Sequence, residues 1–109
     1  MPGDRKTIST HVLDTGTGLP ASGVRVICLL LEGDRIQAAG GGMTDEDGRI
    51  HDVLEGRKLV PGVYRLSFEL GAERFFEAIT VDVRIEDAKR GYHVPLLVSP
   101  FGLSTYRGS

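Results

Sequence analysis

Cysteine and long apolar runs are scarce in this sequence. Cys28 is the one cysteine among 109 residues, so an internal disulfide is excluded and a reducing compartment is favoured. No stretch approaches the roughly 20 apolar residues that a membrane-spanning helix needs. The basic residues Arg5 and Lys6 are not followed by the apolar run of a secretory signal. We therefore expect a cytoplasmic protein that has no membrane partner.

A concentrated basic charge is absent as well. The 13 Lys and Arg residues are balanced by 15 Asp and Glu residues, which gives a formal net charge of −2. Binding to nucleic acid or to a membrane surface needs a concentrated basic face, so neither partner is expected. A chain of 109 residues, of which 40% are hydrophobic, is the size of one domain with one core. We predict a single domain over residues 1–109.

Turn-forming residues are abundant and lie between short apolar runs. The 15 glycines and five prolines separate segments in which apolar and polar residues alternate, a pattern typical of an all-β sandwich. The predicted strands cover residues 7–13, 24–31, 35–39, 49–53, 63–70, 79–86 and 92–99, with an extended tail after residue 102. Residues 54–59 fit either a loop or one helical turn. With the tail counted as the eighth strand, the pattern predicts two four-stranded sheets.

The residues best suited to acid–base chemistry are the three histidines, His11, His51 and His93. Taken singly, each is more simply a surface or capping histidine. No pair of them has the spacing of zinc ligands. The run from Thr44 to Gly48 lacks the alternating oxygen ligands of a calcium loop. We therefore expect no metal site.

Two further residues have simple structural explanations. Arg49 follows an Asp47–Gly48 turn and would by itself be a solvated arginine. Cys28 lies in an apolar strand and fits a buried core position. The sequence also lacks the motifs of serine hydrolases, P-loop proteins and dinucleotide-binding proteins. Composition and periodicity alone therefore predict a small β-sandwich and no particular activity.

A long motif at the end of the chain carries more information. Residues 92–109 are Tyr-His-Val-Pro-Leu-Leu-Val-Ser-Pro-Phe-Gly-Leu-Ser-Thr-Tyr-Arg-Gly-Ser, which resembles the C-terminal signature of the transthyretin-like 5-hydroxyisourate hydrolases. Residues 10–15, Thr-His-Val-Leu-Asp-Thr, resemble the opening motif of that family, and residues 18–21 and 44–49 also fit its pattern. The resemblance spans residues 9–109. Two features depart from it: Leu103 replaces a usual tyrosine, and the connection 71–78 lacks a longer proline-rich stretch.

The resemblance implies a function and a set of site residues. Members of the family are homotetrameric transthyretin-like sandwiches that hydrolyse an amide bond in the six-membered ring of 5-hydroxyisourate during urate breakdown. Hydrolysis of this small-molecule substrate would need no metal or organic cofactor. Imidazole groups can move protons near neutral pH, and a guanidinium group can bind an oxygen-rich ring. The implied catalytic residues are His11, Arg49, His93 and Ser109, and the implied substrate-binding residues are Arg49, Tyr106 and Arg107.

Two alternatives share the fold. A transthyretin-type carrier would bind a hydrophobic ligand in the channel where two dimers of the tetramer meet, which is also where the resemblance puts the active sites, but carriers lack the Tyr-Arg-Gly-Ser end and the catalytic histidines. Residues 9–70 taken alone also resemble prealbumin-like accessory modules, which do not end in Tyr-His-Val-Pro-Leu-Leu. The segment that follows residue 91 therefore favours the hydrolase over both alternatives.

Overall fold

Alternating apolar side chains fold the chain into two β-sheets that pack face to face. A computed structural model describes residues 6–108, and within that range it contains no helix long and apolar enough to cross a bilayer. The nine strands are β1 (Ile8–Asp14), β2 (Leu19–Pro20), β3 (Arg25–Glu32), β4 (Arg35–Met43), β5 (Arg49–Ile50), β6 (Gly62–Glu69), β7 (Ala78–Ile85), β8 (Tyr92–Val98) and β9 (Leu103–Thr105).

The five-stranded sheet is built around β1. On one side β1 pairs in parallel with β8 over seven positions, from Ile8 opposite Tyr92 to Asp14 opposite Val98. Its other side is shared by two short antiparallel strands, β5 near the middle of β1 and β2 near its end. The strand β9 pairs with the far side of β8. This arrangement makes neighbours of residues that are far apart along the chain.

The second sheet has four antiparallel strands in the order β4-β3-β6-β7. Three consecutive glycines, residues 40–42, lie within β4 and have φ between +146° and +151°. Their lack of side chains lets neighbouring backbone approach closely, and the Gly41 N–H donates a 2.7 Å hydrogen bond to the Val53 carbonyl. Backbone outside the sheet is thereby attached to the β4 edge.

The core lies between the two sheets. Strand alternation sends one side chain in two into it, so Ile8, Thr10 and Val12 of β1 are at most 1% exposed. Cys28 is fully buried, and burial raises the pKa of its thiol to about 12. The predicted core position of Cys28 is confirmed. The residues that alternate with these core positions on β1 and β8 form the outer face of the five-stranded sheet, and they are partly exposed except for the buried Pro95.

The predicted all-β sandwich is confirmed, with differences at three segments. The turn predicted over residues 14–20 ends in the two-residue strand β2, so one sheet has five strands instead of four. The strand β4 continues through the three glycines to Met43, because glycine tolerates their backbone angles. Residues 53–56 form a turn, which agrees with the loop alternative for residues 54–59 and not with the helical one. The strand β5 is shorter than predicted and ends at Ile50.

A substitution at Gly40 tests the close approach at β4. We expect Gly40→Ala to lower the free energy of unfolding by about 2 kcal/mol or more. Its φ of +149° disfavours any L side chain, and a methyl group there would overlap the Val53 carbonyl oxygen. Urea unfolding at equilibrium measures the change.

The matched control is Gly91→Ala. Gly91 does not have a positive φ, and an added Cβ would lie 3.5 Å from the Thr7 carbonyl oxygen, an ordinary contact. We expect a change within about 0.5 kcal/mol. Equal stabilities of the two variants would contradict the inferred overlap at Gly40.

Candidate active site

The outer face of the five-stranded sheet brings together three of the residues that the sequence singled out. Ser9 and His11 alternate with buried residues on β1 and therefore point outward. The parallel register sets His93 of β8 opposite Ser9. The antiparallel pairing of β5 sets Arg49 opposite His11. Two imidazoles and a guanidinium group thus lie on adjacent strands of one face, and all three residues are partly buried.

His93 is contacted from both neighbouring segments. Its Nδ1 lies 2.9 Å from the Oγ of Ser9. On the other side, the Gly108 N–H donates a 2.7 Å hydrogen bond to the His93 carbonyl. A Cβ on Gly108 would lie only 2.7 Å from Cδ2 of the His93 ring, so the absent side chain leaves room for the imidazole. The ring is therefore enclosed between β1 and the segment that follows β9.

Arg49 is positioned by the turn that precedes it. The Oδ1 of Asp45 accepts hydrogen bonds from the N–H groups of Asp47 and Arg49, both at 2.9 Å. Donation from the Arg49 N–H is the main reason that the pKa of the Asp45 carboxyl lies below its ordinary value. Gly48 has φ +75°, and its carbonyl accepts a 2.7 Å hydrogen bond from the Val12 N–H. These bonds fix the start of β5 against β1.

The electrostatics of the face favour a neutral His93. Partial burial lowers the pKa of His93 below its ordinary 6.5, and nearby Arg49 and His11 lower it further. A backbone contact with Ser9 acts in the opposite direction but does not outweigh the others. A neutral imidazole at neutral pH has a lone pair that can accept a proton from water, which is the requirement for a general base.

Other predicted residues lie elsewhere. His51 is a surface histidine, as its simplest interpretation predicted, with a side chain that is 78% exposed and a nitrogen 3.8 Å from Asp45. The pairings of β8 with β9 and of His93 with Gly108 share one register, so Tyr106 falls opposite Pro95, and it lines the same cavity as Arg107.

The remaining two predicted residues are Arg107 and Ser109. Arg107 falls opposite the buried Val94, and it lines a cavity of about 420 Å³ between the sheet edges together with Asp82 and Arg84. Its predicted contact with substrate stays a prediction. Ser109 lies outside the described residues. Within residues 6–108, no three His, Cys, Asp or Glu side chains group in a way that could hold a metal ion.

Ser9 and Asp45 were not among the predicted site residues. Ser9 shares the outward alternation of His11, two positions earlier on β1, and that pattern was the one available signal. Its contact with His93 depends on the parallel register, which the alternation does not specify. Asp45 precedes the Asp47–Gly48 turn, where a side chain that accepts backbone N–H groups is common. That signal points to a turn and not to a site.

The charge of Arg49 can be tested through the titration of His93. We expect Arg49→Gln to raise the pKa of His93, because the lost cation no longer opposes protonation of the imidazole. An NMR titration of the His93 ring measures it. The control is Arg65→Gln, which removes an arginine that is paired with Asp82 on the other sheet. An unchanged or lower His93 pKa in Arg49→Gln would contradict the inferred proximity.

Comparison with known proteins identifies the family of this chain. The sequence profile described as the HIUase/Transthyretin family matches residues 8–108. A 5-hydroxyisourate hydrolase of Halalkalibacterium halodurans is 41% identical, over 94% of this chain and 97% of that protein. The structure of Klebsiella pneumoniae 5-hydroxyisourate hydrolase has a TM-score of 0.80 at 36% identity, covering 95% of this chain and 99% of the other. The structure of transthyretin from Sparus aurata has a TM-score of 0.83 at 26% identity, covering 95% of this chain and 97% of that one. The chain therefore belongs to the HIUase/Transthyretin family.

Proposed function

We propose that this protein is a hydrolase that opens the six-membered ring of 5-hydroxyisourate. The observation that carries the proposal is the grouping of His11, Arg49 and His93 on one sheet face, where a carrier of hydrophobic ligands has no use for them. The comparisons support the same choice. The relatives named as hydrolases share 36–41% of their residues with this chain, against 26% for the transthyretin of Sparus aurata.

The proposed reaction is the hydrolysis of a ring amide. A water oxygen bonds to the carbonyl carbon, a histidine takes a proton from that water, and the C–N bond then breaks as the nitrogen receives a proton. His93 suits the first proton transfer, because its lowered pKa keeps it neutral. His11 lies on the adjacent strand and suits delivery of the proton to the nitrogen. The cation of Arg49 suits stabilisation of the oxyanion that forms on the carbonyl oxygen.

The roles proposed for the final residues rest mainly on the motif. Gly108 lies against the His93 ring, and the catalytic role proposed for Ser109, the next residue along the chain, rests on the motif alone. Tyr106 falls opposite Pro95 in register and would form a wall for the substrate. Arg107 would contribute to substrate binding through its charge.

A histidine exchange tests the reaction and the site together. We expect wild-type protein to speed the ultraviolet decay of freshly generated 5-hydroxyisourate above its spontaneous rate. His93→Gln should lower kcat on the order of a hundredfold or more, because acid–base catalysis is lost. The control is His51→Gln, which alters an exposed histidine outside the proposed site and should keep near-native turnover.

Two outcomes would contradict these proposals separately. Wild-type protein that leaves the spontaneous decay unchanged would remove the proposed reaction. Near-native turnover by folded His93→Gln would keep the reaction and remove the assignment of His93. Circular dichroism of each variant shows whether the fold is intact.

We further propose that the protein assembles as a homotetramer with the outer face of the five-stranded sheet in an interface. On β8, Leu96 and Val98 are buried in the core, whereas Leu97 points outward and is partly exposed. An outward leucine beside the histidines favours burial of this face against another copy, which would shield the site from bulk solvent. Exposed aromatic side chains near the ends of the strands, Phe75 and Phe101, add apolar surface.

Sedimentation tests the assembly. We expect a tetramer for the wild type at micromolar concentration and smaller species for Leu97→Glu, because a buried carboxylate would oppose association. The control is Ile27→Glu, which places the same charge on the exposed face of the other sheet, where Ile27 is 41% exposed. A stable wild-type monomer would rule out the assembly, and a tetrameric Leu97→Glu would move the interface away from this face.

A further inference from the structure

Ser9 makes a side-chain contact that the proposed mechanism has not yet used. Its Oγ lies 2.9 Å from Nδ1 of His93, between residues 84 positions apart. The two residues are direct partners in the parallel pairing of β1 and β8, so both side chains project from the same face. Both are partly buried. A hydrogen bond between groups held by paired backbone keeps its geometry without ordering a flexible side chain.

The contact determines which way the imidazole faces. Nδ1 and Cδ2 are the two ring atoms bonded to Cγ, so they lie on opposite sides of the ring. With Nδ1 toward Ser9, Cδ2 lies toward Gly108, at 2.7 Å from the place of a Cβ. A ring flip would put a carbon against the Ser9 hydroxyl and lose the hydrogen bond. Gly108 therefore admits the ring, and Ser9 selects its orientation.

The same contact acts on the position of the ring proton. A neutral imidazole carries one proton, and only the nitrogen without it can accept another. If Nδ1–H donates to the Ser9 oxygen, the lone pair is on Nε2, which points away from β1. The backbone contact of Ser9 raises the pKa of His93, as an oxygen acceptor of a ring N–H does. That backbone contact is separate from the hydroxyl, and a proton on Nδ1 is compatible with both; the 2.9 Å distance places the hydroxyl at this nitrogen.

We propose that Ser9 is the positioning residue of His93: its hydroxyl accepts a hydrogen bond from Nδ1–H and so presents the Nε2 lone pair to the attacking water. The catalytic consequence rests on the proposed hydrolase function, while the tautomer itself does not. Neutral imidazole in water favours the proton on Nε2. Without the Ser9 acceptor the ring would mostly hold the tautomer that cannot act as a base at that nitrogen. The loss should therefore appear in kcat and leave KM nearly unchanged.

The first experiment measures the proton directly. Nitrogen-15 NMR of the imidazoles, recorded above the pKa of His93, distinguishes a protonated Nδ1 from a protonated Nε2, and the spectrum of His93→Gln identifies the His93 signals. We expect Nδ1–H in the wild type and a shift toward Nε2–H in Ser9→Ala. A wild-type His93 with its proton on Nε2 would overturn the proposal, whatever reaction the protein catalyses.

The second experiment compares turnover of 5-hydroxyisourate by three variants. Ser9→Ala should lower kcat by about tenfold to a hundredfold, a typical effect of losing a partner that orients a functional histidine. Ser9→Thr keeps the hydroxyl, suits a β-strand, and should restore most of kcat. The control Ser67→Ala removes a similar cross-strand hydroxyl contact, 3.0 Å to Thr80 in the other sheet, and should leave kcat unchanged.

The outcomes separate the two proposals. A native kcat in Ser9→Ala, or no recovery in a folded Ser9→Thr, would overturn the positioning role. Inactive wild-type protein would instead overturn the hydrolase function, and the NMR measurement would still decide the tautomer. If Ser9→Ala does not fold, the wild-type spectrum and Ser9→Thr decide.

Discussion

The parallel pairing of β1 with β8 is the interaction on which the candidate site depends. It sets Ser9 against His93 and brings His11 onto the same face. A shift of one residue in this register would turn the outward side chains of β8 into the core. The buried residues on both strands oppose such a shift, because Ile8, Val12 and Leu96 are fully enclosed. Packing of the core residues thus fixes the register that positions the polar residues on the outer face.

The other edge of β1 contributes through backbone bonds instead of packing. The carboxylate of Asp45 binds two N–H groups of the turn, and Gly48 lets the turn approach β1 closely. Arg49 is therefore held at its Cα, while its long side chain remains free to adapt to a ligand. The histidine on β8 is held more tightly, at its backbone by Gly108 and at its ring by Ser9. In the proposed reaction, a firmly held histidine beside an adaptable cation would suit the development of charge on the substrate.

Much of the fold could be predicted from alternation, and much of the site could not. Alternation in residues 7–13 and 92–99 predicted the strands that carry His11 and His93. It does not specify which strands pair, so the convergence of the two histidines followed only from the family resemblance. The short strand β2 was missed because two residues are too few to show a period. The predicted strand over residues 35–39 is shorter than β4, because glycines usually weaken or interrupt a strand. Here the three glycines continue the strand and allow neighbouring backbone to approach.

The pairing of β1 with β8 also sets the order in which the molecule can fold. The strands β3 and β4 form a hairpin, as do β6 and β7, so the four-stranded sheet is built from contacts that are local or of moderate separation. The five-stranded sheet needs a closure across more than 80 residues before β1 gains its main partner. Contacts of such high sequence separation form slowly. On a ribosome, β1 must wait until β8 has been synthesised, and the histidine face is assembled among the last parts of the protein.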